Sequence, residues 1–242
     1  RVTEREYAFR RETTDGLLQA QAGDLITSIV HFGRSSTFFP AEPGSQPPAA
    51  DTRPRANIQF IDRLGEHTRL DSGRLPAPAT VPASGPPVLE VVVPDTVAQA
   101  HGIEPGRRLD LYPHWRQGKD PVTVVVTGVI ARTDAGEEFW SGRDDRFFVQ
   151  SAGWPTYLFF TDEKTYVEIL GRYLPDMDGS YETLAMVDPA RITGKNARDV
   201  ENRIRGLEGA LEEKLEYTRL QTRTADVIQN YREKLFFTRL PL

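Results

Sequence analysis

Five carboxylates crowd one stretch of the chain: Asp134, Glu137, Glu138, Asp144 and Asp145. Two carboxyl groups about 5–9 Å apart can act as acid and base, or acid and nucleophile, on a glycosidic bond. Asp134, Glu137 or Asp144 are the residues that such a hydrolase would use. The chemistry needs one carboxyl raised in pKa above the other, and no sequence neighbour here sets one apart. A solvated acidic loop is the plainer reading. Phe139 and Trp140 sit in the same loop, and an aromatic side chain beside charge is a residue type that anchors interfaces. Glu137, Glu138, Phe139 and Trp140 are therefore the candidate partner contact, weighed against ordinary packing of the loop on its own domain.

Other patterns fall short of a site. Asp176, Asp178 and Gly179 (DMDG) look like the opening of a calcium loop, but such a loop needs Gly at its sixth position and Glu at its twelfth. Tyr181 and Val187 stand there. His31, His67, His101 and His114 include no i, i+4 pair, and HExxH is absent. Each reads as a surface or half-buried histidine. GxSxG, GxxxxGK[ST] and GxGxxG are missing. The Gly-Lys pairs at 118–119 and 194–195 lack the upstream glycine and the following hydroxyl residue. With no cysteine in the chain, disulfides, thiol catalysis and cysteine zinc sites are excluded. No catalytic, cofactor-binding or metal residue is assigned, and no cofactor is expected.

The chain has 242 residues, 30 Lys+Arg and 35 Asp+Glu, for a net charge of −5. Nucleic acid is a poor partner for it, because phosphate binding needs a concentrated positive field. Apolar residues make up 38 %, and no run approaches the ~20 residues of a membrane span. The chain opens on Arg1 without a signal peptide, which leads to the expectation of a piece cut from a longer protein.

These residues need elements to position them. Residues 1–20 read as a ragged helix and Leu25–Phe32 as a strand. Arg34–Pro54 is expected to be poor in structure, because 11 of the 18 prolines lie between positions 40 and 94. Ile58–Leu64 reads as a short helix and Thr68–Gly73 as an extended piece. Val88–Val93 is a buried-type strand, Asp95 or Thr96 caps a helix through Ala100, and Gly102 ends it. Pro105-Gly106 turns the chain, Arg107–Tyr112 alternates with period two, and Val122–Ala131 is a second strong strand. Phe147–Gln150, Thr156–Thr161 and Tyr181–Val187 read as strands, with a helix from Glu163 to Tyr173 capped by Asp162. Val200, Ile204, Leu207, Leu211 and Leu215 draw an apolar helical stripe. Glu216–Gln221 reads as an edge strand, followed by a last helix through about Phe237. The fold class is α+β, with mixed sheets in two lobes and the N- and C-terminal helices run together as a base.

The central stretch, EVVVPDTVAQAHGIEPGRRLDLY followed by VTVVVTGVIARTDAGEEFW, resembles the extracytoplasmic, MacB-type periplasmic core domain of FtsX-like ABC transporter permeases. The matching parts are Glu90–Val93, Ala98, Gly102-Ile103, Gly106, Leu109–Tyr112 and Val124–Ile130 with Gly128. Ser72-Gly73-Arg74-Leu75-Pro76 is similar to the family's Gly-Arg-x-Pro segment before the first strand. Residues 68–140 carry the likeness, and the Pro-rich stretch 40–56 departs from it as an insertion.

The resemblance implies one extracytoplasmic domain over residues 1–242, at the outer face of a plasma membrane and between two spans. Its base lobe would take 20–135 with 180–242, and its distal part 136–180. It implies no catalysis in the domain itself. A separate cytoplasmic ATP-binding subunit would hydrolyse ATP, a second permease subunit would complete the transporter, and an extracytoplasmic substrate or protein would be the outer partner. The alternatives are a free-standing secreted or lipid-anchored binding domain, whose terminal helices would be buried in its own core, and the carboxylate hydrolase above.

Overall fold

The computed structural model describes residues 3–46, 54–80, 85–115, 120–140 and 156–222, together with Ile228. The class is α+β. The helices are α1 (Glu4–Ala22), α2 (Leu64–His67), α3 (Asp95–His101), α4 (Gly171–Tyr173, entered through a π-helical turn Thr165–Leu170) and α5 (Ala197–Lys214). The strands are β1 (Ile26–Ser35), β2 (Phe38–Ala41), β3 (Arg55–Ile61), β4 (Thr68–Gly73), β5 (Val88–Pro94), β6 (Arg108–Pro113), β7 (Val122–Arg132), β8 (Thr156–Phe160) and β9 (Gly179–Val187). Two compact units result: Arg1–Glu6 with His31–Glu182, and Tyr7–Val30 with Thr183–Leu242.

The first unit is built on six strands in the order β2-β6-β7-β5-β8-β3, and a further β2–β3 pairing at Phe38↔Ala56 joins the two ends of that run. The strands thus form a closed ring with no free edge between them. The β5–β7 and β3–β8 pairs are parallel, and the remaining neighbours are antiparallel. Period-two alternation decides which side chains fill the ring. Ala56, Ile58 and Phe60 on β3, Leu89, Val91 and Val93 on β5, and Val122, Val124 and Val126 on β7 are each 0 % exposed. Thr123 and Asp110, paired in register on β7 and β6, face the other way and are joined by a 2.7 Å hydrogen bond.

Two long strands each share one edge between two partners. On β7, residues 122–125 pair β6 and residues 128–132 pair β4. On β3, Ala56 pairs β2 and residues 59–61 pair β1. The changeover on β7 falls at a bulge: Val91 opposes Val126 but Val92 opposes Gly128, leaving Thr127 as the extra residue.

The second unit is an antiparallel helix pair packed with β1 and β9. Ala22 and Leu25 cluster with Ala197, Val200 and Ile204. Leu18 clusters with Leu207, Leu211 and Leu215. Further towards the start of α1, the Arg10 guanidinium donates to the Glu216 carbonyl oxygen at 3.0 Å. As α1 runs backwards its neighbours on α5 run forwards, so the stretch of α1 around Arg10 lies beside the turn that follows α5.

Several sequence expectations are corrected. Ile58–Leu64 is not a helix: residues 55–61 are strand β3, and only Leu64 begins a helix. Ala56, Ile58 and Phe60 alternate with Asn57 and Gln59, the period of two that marks a strand. Arg34–Pro54 holds the end of β1 and all of β2, because β2 gains partners on both β6 and β3. Glu216–Gln221 is not a strand. It begins as a turn closed by the Thr218 N–H on the Leu215 carbonyl, with Tyr217 at φ 59°. The expected strand at Phe147–Gln150 lies outside the described residues, as does the last helix apart from Ile228.

Candidate functional site

The acidic loop after β7 is stitched down residue by residue. The Asp134 carboxylate accepts from the Gly136 N–H at 2.8 Å, an Asx-type turn that fixes the loop's bend. The Trp140 N–H donates to the Glu137 carbonyl at 3.0 Å, within a 3-10 turn over Glu138–Trp140. Glu137 Oε1 lies 2.7 Å from His67 Nδ1 at the end of α2. The His67 ring stacks on Phe139 at 3.6 Å and 13°. Phe139 in turn meets Trp140 edge-on at 4.7 Å and Phe32 at 6.3 Å.

This geometry bears on each sequence candidate. Phe139 and Trp140 are each 1 % exposed, so neither ring is offered to a partner as the sequence reading supposed. The physical reason is a flat imidazole 72 positions earlier that gives Phe139 a stacking face. Glu137 binds that same imidazole, and Glu138 lies in the 3-10 turn. Asp134 and Glu137 both do local structural work. Asp144 and Asp145 lie outside the described residues, as do Phe147, Phe148 and Trp154. Among the described residues no group of three or more His, Asp or Glu side chains could hold a metal ion. In the DMDG turn, the Asp178 carbonyl accepts from the Ser36 N–H and hydroxyl at 2.9 and 2.7 Å.

The Gly-Arg-x-Pro segment, which enters the sequence analysis only as part of the resemblance, builds a clamp with Glu90 that its spacing does not reveal. Gly73 sits opposite Gly128 in the β4–β7 register, at φ 75°, and the Arg74 N–H reaches the Thr127 carbonyl at 2.9 Å. From there the Arg74 guanidinium forks onto Glu90 of β5, with Nη1–Oε2 at 2.6 Å and Nη2–Oε1 at 2.5 Å. The Ala77 N–H adds a third donor to Glu90 Oε2 at 2.8 Å. Motif residues 16 positions apart are thus one clamp. The sequence signal was present, an Arg before a Pro and a lone Glu opening an apolar strand, but only the fold supplies their meeting.

The clamp holds the Glu90 carboxyl below its ordinary pKa, first through the Arg74 hydrogen bonds and then through the Ala77 N–H. A group whose pKa falls on folding contributes stability that is present above its unfolded pKa and lost as pH drops through the folded value. Stability should therefore fall off below roughly pH 4.3, the ordinary glutamate value. Glu90→Gln should flatten that part of the profile while lowering stability at neutral pH. Urea midpoints from pH 7 to 2.5 would show it, and an unchanged acid limb in Glu90→Gln would refute the assignment.

The helix pair has a clamp of its own. Asp24 accepts from Arg203 at 2.7 and 3.2 Å, its carbonyl accepts from Arg191 at 2.6 Å, and its pKa is lowered chiefly by the Arg203 hydrogen bond. These contacts tie the turn after α1 to α5 and to the 3-10 turn Pro189–Arg191.

No family model matches the chain, and no curated protein matches it. Two solved structures are similar to it. One is the extracellular domain of the noncanonic ABC-type transporter YknZ from Gram-positive bacteria, at 11 % identity, covering 82 % of this chain and 81 % of that one, with a TM-score of 0.37. The other is a domain of a permease protein from Porphyromonas gingivalis, at 11 % identity, covering 86 % and 70 %, with a TM-score of 0.36. At such identities and TM-scores the likeness carries no argument about what the chain does. Among solved structures, the chain is similar to domains of permeases, one of them the extracellular domain of an ABC-type transporter.

Proposed function

We propose that the chain is the extracytoplasmic domain of an ABC transporter permease subunit, non-catalytic itself, that couples ATP hydrolysis on the cytoplasmic side to work outside the membrane. That work would be substrate extrusion, lipoprotein or peptide handling, or signalling. The observation that carries the reading is the antiparallel pairing of α1 and α5. A domain inserted between two spans must return its chain to the side it came from, and an antiparallel helix pair sends the chain back in that sense. A free-standing domain has no such requirement. The motif order from Gly73 to Gly128 supports the same reading, since each part has a structural task in the ring.

In this reading α1 and α5 are the stalks that transmit motion, a coupling between distant sites through a stiff element. Residues 20–135 with 180–242 serve as the base lobe and 136–180 as the distal part. The partners are a cytoplasmic ATP-binding subunit, a second permease subunit and an unidentified extracytoplasmic substrate or protein. With Phe139 and Trp140 turned inward, contact at the acidic loop falls to its exposed tip, residues 133–136. No helix among the described residues is long and apolar enough to cross a membrane.

The test is the gene on either side. The reading requires an apolar run of about 20 residues shortly before Arg1 and another beginning near Leu240, with an ATP-binding subunit that co-purifies with the whole protein. A signal peptide just upstream and a stop codon after Leu242 would overturn it in favour of a secreted binding domain.

A further inference from the structure

Residues 74–79 (RLPAPA) leave β4 and run along the ring past three neighbours in turn. Arg74 N–H bonds the Thr127 carbonyl of β7 at 2.9 Å, Arg74 and Ala77 hold Glu90 of β5, and the Ala79 N–H donates to Thr165 Oγ1 at 2.8 Å. Thr165 opens the π-helical turn after β8 and is itself 0 % exposed. β7, β5 and β8 are consecutive in the sheet order. The segment is a strap across them.

Its attachment is almost wholly polar. Arg74, Leu75, Ala77 and Pro78 are exposed, and only Pro76 and Ala79 are half-buried. Lifting the strap therefore uncovers little apolar surface, and the ring loses none of its filling side chains. Pro76 and Pro78 fix φ near −65° and restrict Leu75 and Ala77 to extended backbone. A strap so stiffened moves as a piece, because its middle cannot recoil while its ends stay bound. Low apolar burial and exposed hydrogen bonds are the marks of a segment that opens below the free energy of global unfolding.

We propose that residues 74–79 are a detachable strap that opens as one unit, releasing Glu90 and Thr165 together while the six-stranded ring stays folded. Its opening would uncouple the β4–β7 pair from the π-helical turn that follows β8. The inference does not depend on the transporter reading.

Native-state hydrogen exchange on the whole chain tests it. The Ala77 and Ala79 amides should exchange on the order of 100-fold faster than the Val126 amide, which is held by the Arg107 carbonyl within the ring. Their rates should be nearly insensitive to low urea, since little surface is exposed in the opening. Glu90→Gln, which removes only the Ala77 and Arg74 acceptor charge, should speed both amides by about tenfold, as should Thr165→Val, and in both variants Ala77 and Ala79 should still exchange well ahead of Val126. Exchange of Ala77 and Ala79 only at the Val126 rate would overturn the proposal. Each variant speeding only the amide it touches would also overturn it, because the strap would then fray in parts. Should Thr165→Val fail to fold, the half-buried Glu90→Gln site decides alone, through its effect on Ala79.

Discussion

Gly128→Ala is expected to cost about 1–3 kcal/mol, the range of overpacking. A β-carbon at Gly128 would stand 2.6 Å from the Arg74 carbonyl oxygen and 2.9 Å from that of Ser72. Neither is the tip of a flexible side chain. Both belong to the backbone that the Gly73–Gly128 pairing brings close, so the alanine fits only if β4 moves off β7. Moving it would break the Arg74 N–H to Thr127 bond and draw Arg74 away from Glu90. Gly73→Ala should do at least as much harm, because Gly73 has φ 75° and its β-carbon would run into the Thr127 carbonyl. Gly209→Ala is the control: it lies inside α5 with nothing within 4 Å, and replacing a helix-interior glycine there should stabilise by roughly 0.5–1 kcal/mol. Urea midpoints with unchanged m-values would separate the three. A Gly128→Ala protein as stable as the parent would mean that the two backbones do not approach as closely as described.

The contrast between these glycines shows where sequence reading stops. Local pattern was enough for α3 and its end. Gly102 stands at φ 61°, with the Ile103 N–H on the Ala98 carbonyl, as a helix-ending glycine should. It was enough for β5, β6 and β7, whose alternation or apolar runs have no other use, and for α5, whose stripe from Val200 to Leu215 became two clusters against α1. β3 carries its period too, Ala56, Ile58 and Phe60 alternating with Asn57 and Gln59, but in a run too short between Pro54 and Asp62 to exclude a helical turn, while β2 exists only because two distant strands accept it. Gly73, Gly128 and Gly33 look alike in the sequence to any other glycine. Their roles come from what lies across a pairing 27 to 55 positions away.

The candidate site follows the same division. The acidic loop was legible as a loop, because its charges and Asp134-Ala135-Gly136 turn are local. The fate of its aromatic residues was not. Whether Phe139 faces a partner or the core depends on His67, and no spacing rule links the last residue of a four-residue helix to a phenylalanine 72 positions later. Arg74 and Glu90 were both quoted within the family-like motif, yet their pairing is a property of the strap's path over β5. Residues that act through a crossing of chains carry no periodic or compositional mark of it.

The second large effect belongs to the other place where one strand's edge passes between partners. Gly33 of β1 pairs with Phe60 of β3, and the Phe60 ring lies over the space a side chain would take: a β-carbon on Gly33 would collide with its edge, and would stand 2.7 Å from Cδ1. Phe60 cannot swing away. It is 0 % exposed and its far side meets Tyr166 of the π-helical turn at 5.1 Å. Gly33→Ala should therefore cost about 1–3 kcal/mol, with overpacking as the cause. Phe60→Ala should cost about 3–5 kcal/mol through lost burial and the cavity left. The double variant distinguishes this account from mere fragility of the strand. If the alanine methyl and the ring compete for one volume, removing the ring relieves the clash, and Gly33→Ala in the Phe60→Ala background should cost under about 1 kcal/mol. A coupling of 1–3 kcal/mol is what residues in direct contact show. Strictly additive costs would mean that Gly33 is needed for its backbone freedom and not for the room it leaves to Phe60.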